Sequence, residues 1–163
     1  MSAISSDIQT GYVQGDSVPW IPFRPLTERV LLRYYRIDPR RGEIVVSVRF
    51  PPGGGLAPLY HTGPVIAHTI RGAWRYREHD WVARAGDTVC DAAGSVRTAE
   101  SVGDEEAVIL LVVTGEFLFF DEDGGLVWQE SWKTSVERYA EYCAEHRLSQ
   151  GDLSALVDLP PVQ

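Results

Sequence analysis

Cysteine is nearly absent from this chain, with only Cys90 and Cys143 in 163 residues. Two are too few for a disulfide framework, so the fold must rest on its core. Long apolar runs are missing as well. No segment approaches the roughly 20 apolar residues that cross a bilayer, and no membrane partner is expected. Met1–Thr10 is polar and lacks the apolar stretch of a secretion signal, so the expectation is a soluble cytoplasmic protein. Positive charge is in deficit, with 15 Lys and Arg against 23 Asp and Glu and a net charge of −8. That balance excludes a phosphate-gripping surface and with it nucleic acid as a partner. The basic stretch Arg71–Arg77 has acidic neighbours and reads as an exposed strand face.

Turn formers are abundant. Ten prolines and 15 glycines separate short apolar runs, as in a strand-rich fold. The prolines of Asp16-Ser-Val-Pro-Trp-Ile-Pro-Phe23 forbid a helix, and its large apolar residues suit an extended arm lying on the domain. Arg29–Ile37 reads as a strand, and Asp38-Pro-Arg-Arg-Gly42 as a turn. In the next strand Ile44, Val46, Val48 and Phe50 share one face. Further strands are expected near 57–61, 65–70, 74–77, 88–90, 108–113 and 116–120, with a hairpin at Glu122-Asp-Gly-Gly125 leading into 126–129. Only the C-terminal part has helical periodicity. Thr134 and Glu137 match a capping box, and Val136, Tyr139, Ala140 and Cys143 form one apolar face over about 134–147. The expectation is a single domain spanning 1–163: an arm over about 10–28, an all-β barrel over about 29–130 and a C-terminal helix.

Two segments carry a family resemblance. One runs from Pro51-Pro-Gly-Gly-Gly55 through Leu59-Tyr-His61 and Val65 to Gly72; the other runs from Gly86 through Gly94 to Arg97. They resemble the two motifs of the cupins, small double-stranded β-helix (jelly-roll) barrels, and the second fits without a gap. His61-Thr-Gly-Pro-Val65, with Gly72-Ala-Trp-Arg-Tyr-Arg-Glu78 and Asp80-Trp81, is similar to the 2,4'-dihydroxyacetophenone dioxygenase subgroup, whose members are non-haem iron enzymes. The resemblance implies where the metal ligands would fall. The first histidine falls on Leu59, the second on His61, the acidic position on Val65 and the third histidine on Arg97. The motif's proline falls on Ala92, and the subgroup's glutamate matches Glu78. Leucine cannot coordinate and arginine stays protonated, so two surviving ligands beside a fixed cation make a poor iron site.

Strand parity places Leu59 and His61 on one face, and Trp74, Tyr76 and Glu78 on another inward face. Arg97 is then expected to hold Glu78 ionised or to bind a ligand oxygen. His61, Glu78, Arg97 and Tyr76 are the candidate catalytic residues, with Phe50, Leu59, Val65 and Trp74 as the apolar lining. Remaining groups take structural readings: His68 on the outer face, His79 away from Glu78, His146 at the helix C-terminus, and Asp87 and Asp91 in turns or at strand ends. Cys90 is a candidate for the cavity, and Cys143 for the core.

The leading expectation is metal-independent acid–base chemistry (isomerase, cyclase or dehydratase type) on an apolar or aromatic small molecule, with no cofactor. One alternative is a dioxygenase whose Fe(II) is held by His61, Glu78 and a third ligand such as Cys90 or His79. Another is a ligand-binding cupin without catalysis. The family resemblance also implies a homodimer, with Val45 and the Trp20 arm as compatible contact positions.

Overall fold

The computed structural model describes residues 12–150. The expected polar N-terminus Met1–Thr10 lies outside them. Among the described residues the strands are β1 (Ile21–Pro22), β2 (Leu31–Asp38), β3 (Glu43–Phe50), β4 (Leu59–His61), β5 (Val65–Arg71), β6 (Ala73–Tyr76) and β7 (Ala83–Arg84). They continue with β8 (Thr88–Asp91), β9 (Val96–Arg97), β10 (Ala99–Ser101), β11 (Ala107–Thr114), β12 (Phe117–Phe120) and β13 (Leu126–Glu130), followed by helix α1 (Trp132–Glu145). All strand pairings are antiparallel. A six-stranded sheet has the order β1-β2-β3-β11-β5-β8; a four-stranded sheet runs β13-β12-β4-β9 and a three-stranded one β10-β6-β7. Non-sequential neighbours such as β3-β11-β5 are the jelly-roll pattern.

The alternation read from β3 holds, with Ile44, Val46, Val48 and Phe50 all buried. They join Leu32 and Tyr34 of β2, Ile109 of β11, Trp74 and Tyr76 of β6 and Phe119 of β12 in one core. The arm reads as expected too: β1 pairs with β2, and Val18, Ile21 and Phe23 are buried. Gly72 turns β5 into β6 with φ +71°, and a side chain there would meet the Glu106 carbonyl oxygen. Only glycine fits both demands. The turn delivers Trp74 inward, where its indole N–H donates to Thr69 Oγ1 at 2.8 Å.

The helix starts earlier than its periodicity suggests. Ser131 is the N-cap, and its N–H donates to Thr134 Oγ1 at 2.9 Å, so Thr134 sits in the first turn instead of capping it. Cys143 and Tyr139 are buried as expected. Arg138 is buried as well: it pairs with Glu130 at the end of β13 and donates to Tyr34 Oη at 2.8 Å and the Arg24 carbonyl at 2.9 and 3.0 Å. Ser135 Oγ and Trp128 Nε1 satisfy the remaining Glu130 valences, so this buried pair is fully hydrogen-bonded and pins α1 to the sheets. No helix among the described residues is long and apolar enough to cross a membrane.

Candidate functional site

Short strands paired by register assemble a polar cluster in the core. His61, at the end of β4, is 2% exposed, and its ring stacks on Phe117 with centroids 4.8 Å apart. Phe117 is also its register partner on β12. On the other side of β4, Leu59 is the register partner of Arg97 on β9. The two positions that departed from the histidine pattern therefore face each other across one strand pair.

Arg97 turns toward an acid that sequence reasoning placed at a strand end without a role. Asp91 does end β8, but it is the register partner of the inward-facing Val65, and its side chain is only 9% exposed. Its Oδ1 lies 3.5 Å from Arg97 Nε, and its Oδ2 lies 3.8 Å from His61 Nδ1. His61 Nδ1, Asp91 Oδ2 and Arg97 Nε are all buried without a hydrogen-bond partner. Tyr76 completes the group, with the Arg97 guanidinium 5.9 Å from its ring centre.

Burial sets the protonation states. It pulls His61 below its ordinary pKa, outweighing the upward pull of Asp91, and Arg97 pushes the same way, so the imidazole is neutral near pH 7. Burial and then the Asp91 carboxylate push Tyr76 upward, keeping its hydroxyl protonated. A neutral base, a carboxylate, a guanidinium and a phenol thus lie side by side.

Glu78 does not join them. Strand β6 ends at Tyr76 and the chain turns at 77–78, which breaks the parity that put Glu78 beside Trp74. Glu78 is exposed, and it accepts the Thr98 N–H at 3.0 Å. Burial alone would raise its pKa, but the Thr98 hydrogen bonds, with a smaller contribution from Arg97, hold it below the usual range. The ion pair expected of Arg97 forms with Asp91 instead.

Cys90 is exposed, opposite in parity to Asp91, and so faces away from the cavity. His79 stacks on Trp81 at 5.5 Å, in an aromatic group with Tyr76. His68 is half-buried and bonds Thr88 Oγ1 at 2.8 Å, and His146 stacks on Tyr142 at the helix end.

Among the described residues, no three His, Cys, Asp or Glu side chains converge as a metal would require. His61 and Asp91 are two donors, and Arg97 already neutralises Asp91. The residues do not fit the iron of the dioxygenases.

Phe50, Val65, Trp74, Tyr76 and His61 are among the residues lining a cavity of about 40 Å³, which Asp91 and Arg97 do not line. Leu59 is buried but packs opposite Arg97, outside that lining. Such a void holds on the order of three waters.

A family described as the ChrR cupin-like domain matches residues 9–118. The chain belongs to the cupins. Over 90% of its length it is 40% identical to an RmlC-like cupin protein from Ralstonia eutropha, covering 95% of that chain with a TM-score of 0.86. An acetylacetone dioxygenase from Acinetobacter johnsonii is similar in fold at 14% identity, 82% and 91% coverage and TM-score 0.71. The polyketide cyclase RemF from Streptomyces resistomycificus is similar at 16%, 71% and 90%, and 0.58. No curated protein matches the chain. This cupin thus shares its fold with enzymes of more than one reaction type.

Proposed function

We propose that this cupin is an acid–base enzyme acting, without a metal, on an enolisable carbonyl compound with an apolar body. The observation that carries the reading is the trio of buried, unpartnered atoms, His61 Nδ1, Asp91 Oδ2 and Arg97 Nε, of which His61 also lines a small cavity. Buried polar groups without partners are costly and rare in a folded core; a ligand carbonyl oxygen would accept from Arg97 Nε, and an enol or hydroxyl O–H of the ligand would donate to Asp91 Oδ2.

The chemistry follows from the protonation states. A carbonyl oxygen held by Arg97 and the Tyr76 hydroxyl places positive charge where an enolate develops. The proton on the adjacent carbon passes to the neutral His61 imidazole, the C–H electron pair forms the new C=C bond, and the carbonyl π pair moves onto oxygen. Asp91 stabilises the imidazolium that results. Returning the proton to a different carbon gives isomerisation; attack of the enolate carbon on a second carbonyl carbon of the same molecule, whose π pair moves onto oxygen and takes the proton from the His61 imidazolium, gives ring closure. The acetylacetone and polyketide in the names of two fold neighbours are ketone-bearing compounds, which is in keeping with this class.

Deuterium uptake from D2O at the α-carbon of aryl and alkyl ketones, followed by proton NMR, tests the reading. Exchange is expected in the wild type and should fall at least about 100-fold in His61→Gln, the usual scale for losing a general base. Exchange that survives both His61→Gln and Asp91→Asn would refute the assignment.

A further inference from the structure

A second void of about 50 Å³ is lined by Phe23, Leu32, Ile44, Val46 and Val113 among others. Val48, Leu56, Leu111 and Phe117 line both this void and the one at His61, so they form the partition between them. Val48, Leu111 and Phe117 sit on β3, β11 and β12, each paired on both edges, so only a side-chain rotation could open the partition there. Phe117 is the member of the partition that stacks on His61. It opens β12 directly after the Gly115 turn, is half-buried, and presents its ring to His61.

From this arrangement we infer that the second void is an extension of the active site: Phe117 is its gate, and an apolar alkyl or aryl chain of the substrate is its occupant. The inference rests on the acid–base reading for the polar head, and adds a binding subsite for the tail. The size of the first void makes the extension necessary, because on the order of three waters fit there and no apolar body does. Moving or removing the Phe117 ring joins the two voids into one dry chamber. An apolar chamber of about 150 Å³ admits benzene or xenon. The head at His61 and the tail among Leu32, Ile44 and Val46 then lie on opposite sides of the Phe117 position. Phe117 is in this account a specificity-determining residue, since its ring sets how long a chain the site accepts.

Two measurements on the whole chain test this. Benzene binding, read as a rise in melting temperature and as NMR shifts of core methyls, is expected in Phe117→Ala and in the milder Phe117→Leu, and much weaker in the wild type. Affinities of acetylacetone and its longer alkyl homologues come from calorimetry. In the variants each added methylene should tighten binding about fourfold until the chamber fills. The wild type should gain less per methylene, because its ring must be displaced. Equal chain-length slopes in all three proteins, or variants that fold and exclude benzene, would overturn the gate. Benzene entry together with no diketone binding by any of the three would support the joined chamber and refute the head-group reading, so the two claims fail separately.

Discussion

Replacing Asp91 tests the polar cluster most quantitatively. Its carboxylate is 3.5 Å from Arg97 Nε and 3.8 Å from His61 Nδ1, and Arg97 is 23% exposed. At an effective dielectric near 20, two unit charges at that separation attract by on the order of 5 kcal/mol before desolvation. Most of that is offset by removing both ions from water. The partial exposure of Arg97 lowers it further, toward the value of exposed pairs. A net coupling of about 2 kcal/mol is expected, between exposed pairs and fully buried charge pairs. The cycle comprises wild type, Asp91→Asn, Arg97→Gln and the double variant, each measured by urea denaturation. The same four proteins report on His61, whose ring protons titrate in NMR spectra. Asp91 raises the His61 pKa and Arg97 lowers it, so Asp91→Asn should move it down and Arg97→Gln up. A coupling below about 0.5 kcal/mol is within ordinary additivity error and would refute the cluster. So would His61 shifts of the same sign in both single variants.

Two further outcomes concern stability. Because burial depresses the folded-state pKa of His61, the unfolded chain takes up this proton first as the pH falls. The contribution is complete above about pH 6.5 and is lost as the pH drops below it, by about 1.4 kcal/mol for each unit between the folded and unfolded pKa values. His61→Gln should flatten that part of the pH–stability curve, and an unchanged curve would contradict a buried neutral imidazole. Separately, Arg138→Met should cost about 3–5 kcal/mol in urea unfolding by leaving Glu130 buried without its cation. A loss under about 1 kcal/mol would show that α1 is held by packing alone.

Much of the fold is legible in the sequence because β2, β3, β5 and β11 are long enough to alternate, and Pro and Gly mark the turns between them. Strands β7, β9 and β10 are not legible: two or three residues carry no period, and distant partners create them. The site divides on the same line. His61, Leu59 and Arg97 follow from motif spacing. Tyr76 follows from parity inside β6, but Glu78 lies beyond the strand's end, where parity no longer applies. Asp91 was hidden because its inward direction depends on the β5–β8 register. A usable signal existed nonetheless, since Cys90 and Asp91 alternate and only one of them can face the core. The Glu130–Arg138 pair depends on how the helix docks, which no local pattern encodes.

The proposed metal-free chemistry rests on Arg97, paired with Asp91, supplying the positive charge of the site. Metal content of the purified protein, with Fe(II) and Zn(II) titrations of the wild type and of Leu59→His combined with Arg97→His, tests it most directly. Leu59 and Arg97 are register partners, so restoring both histidines beside His61 should create a site that binds one metal ion, while the wild type retains none. One equivalent of iron in the wild type, lost in His61→Ala, would contradict the account.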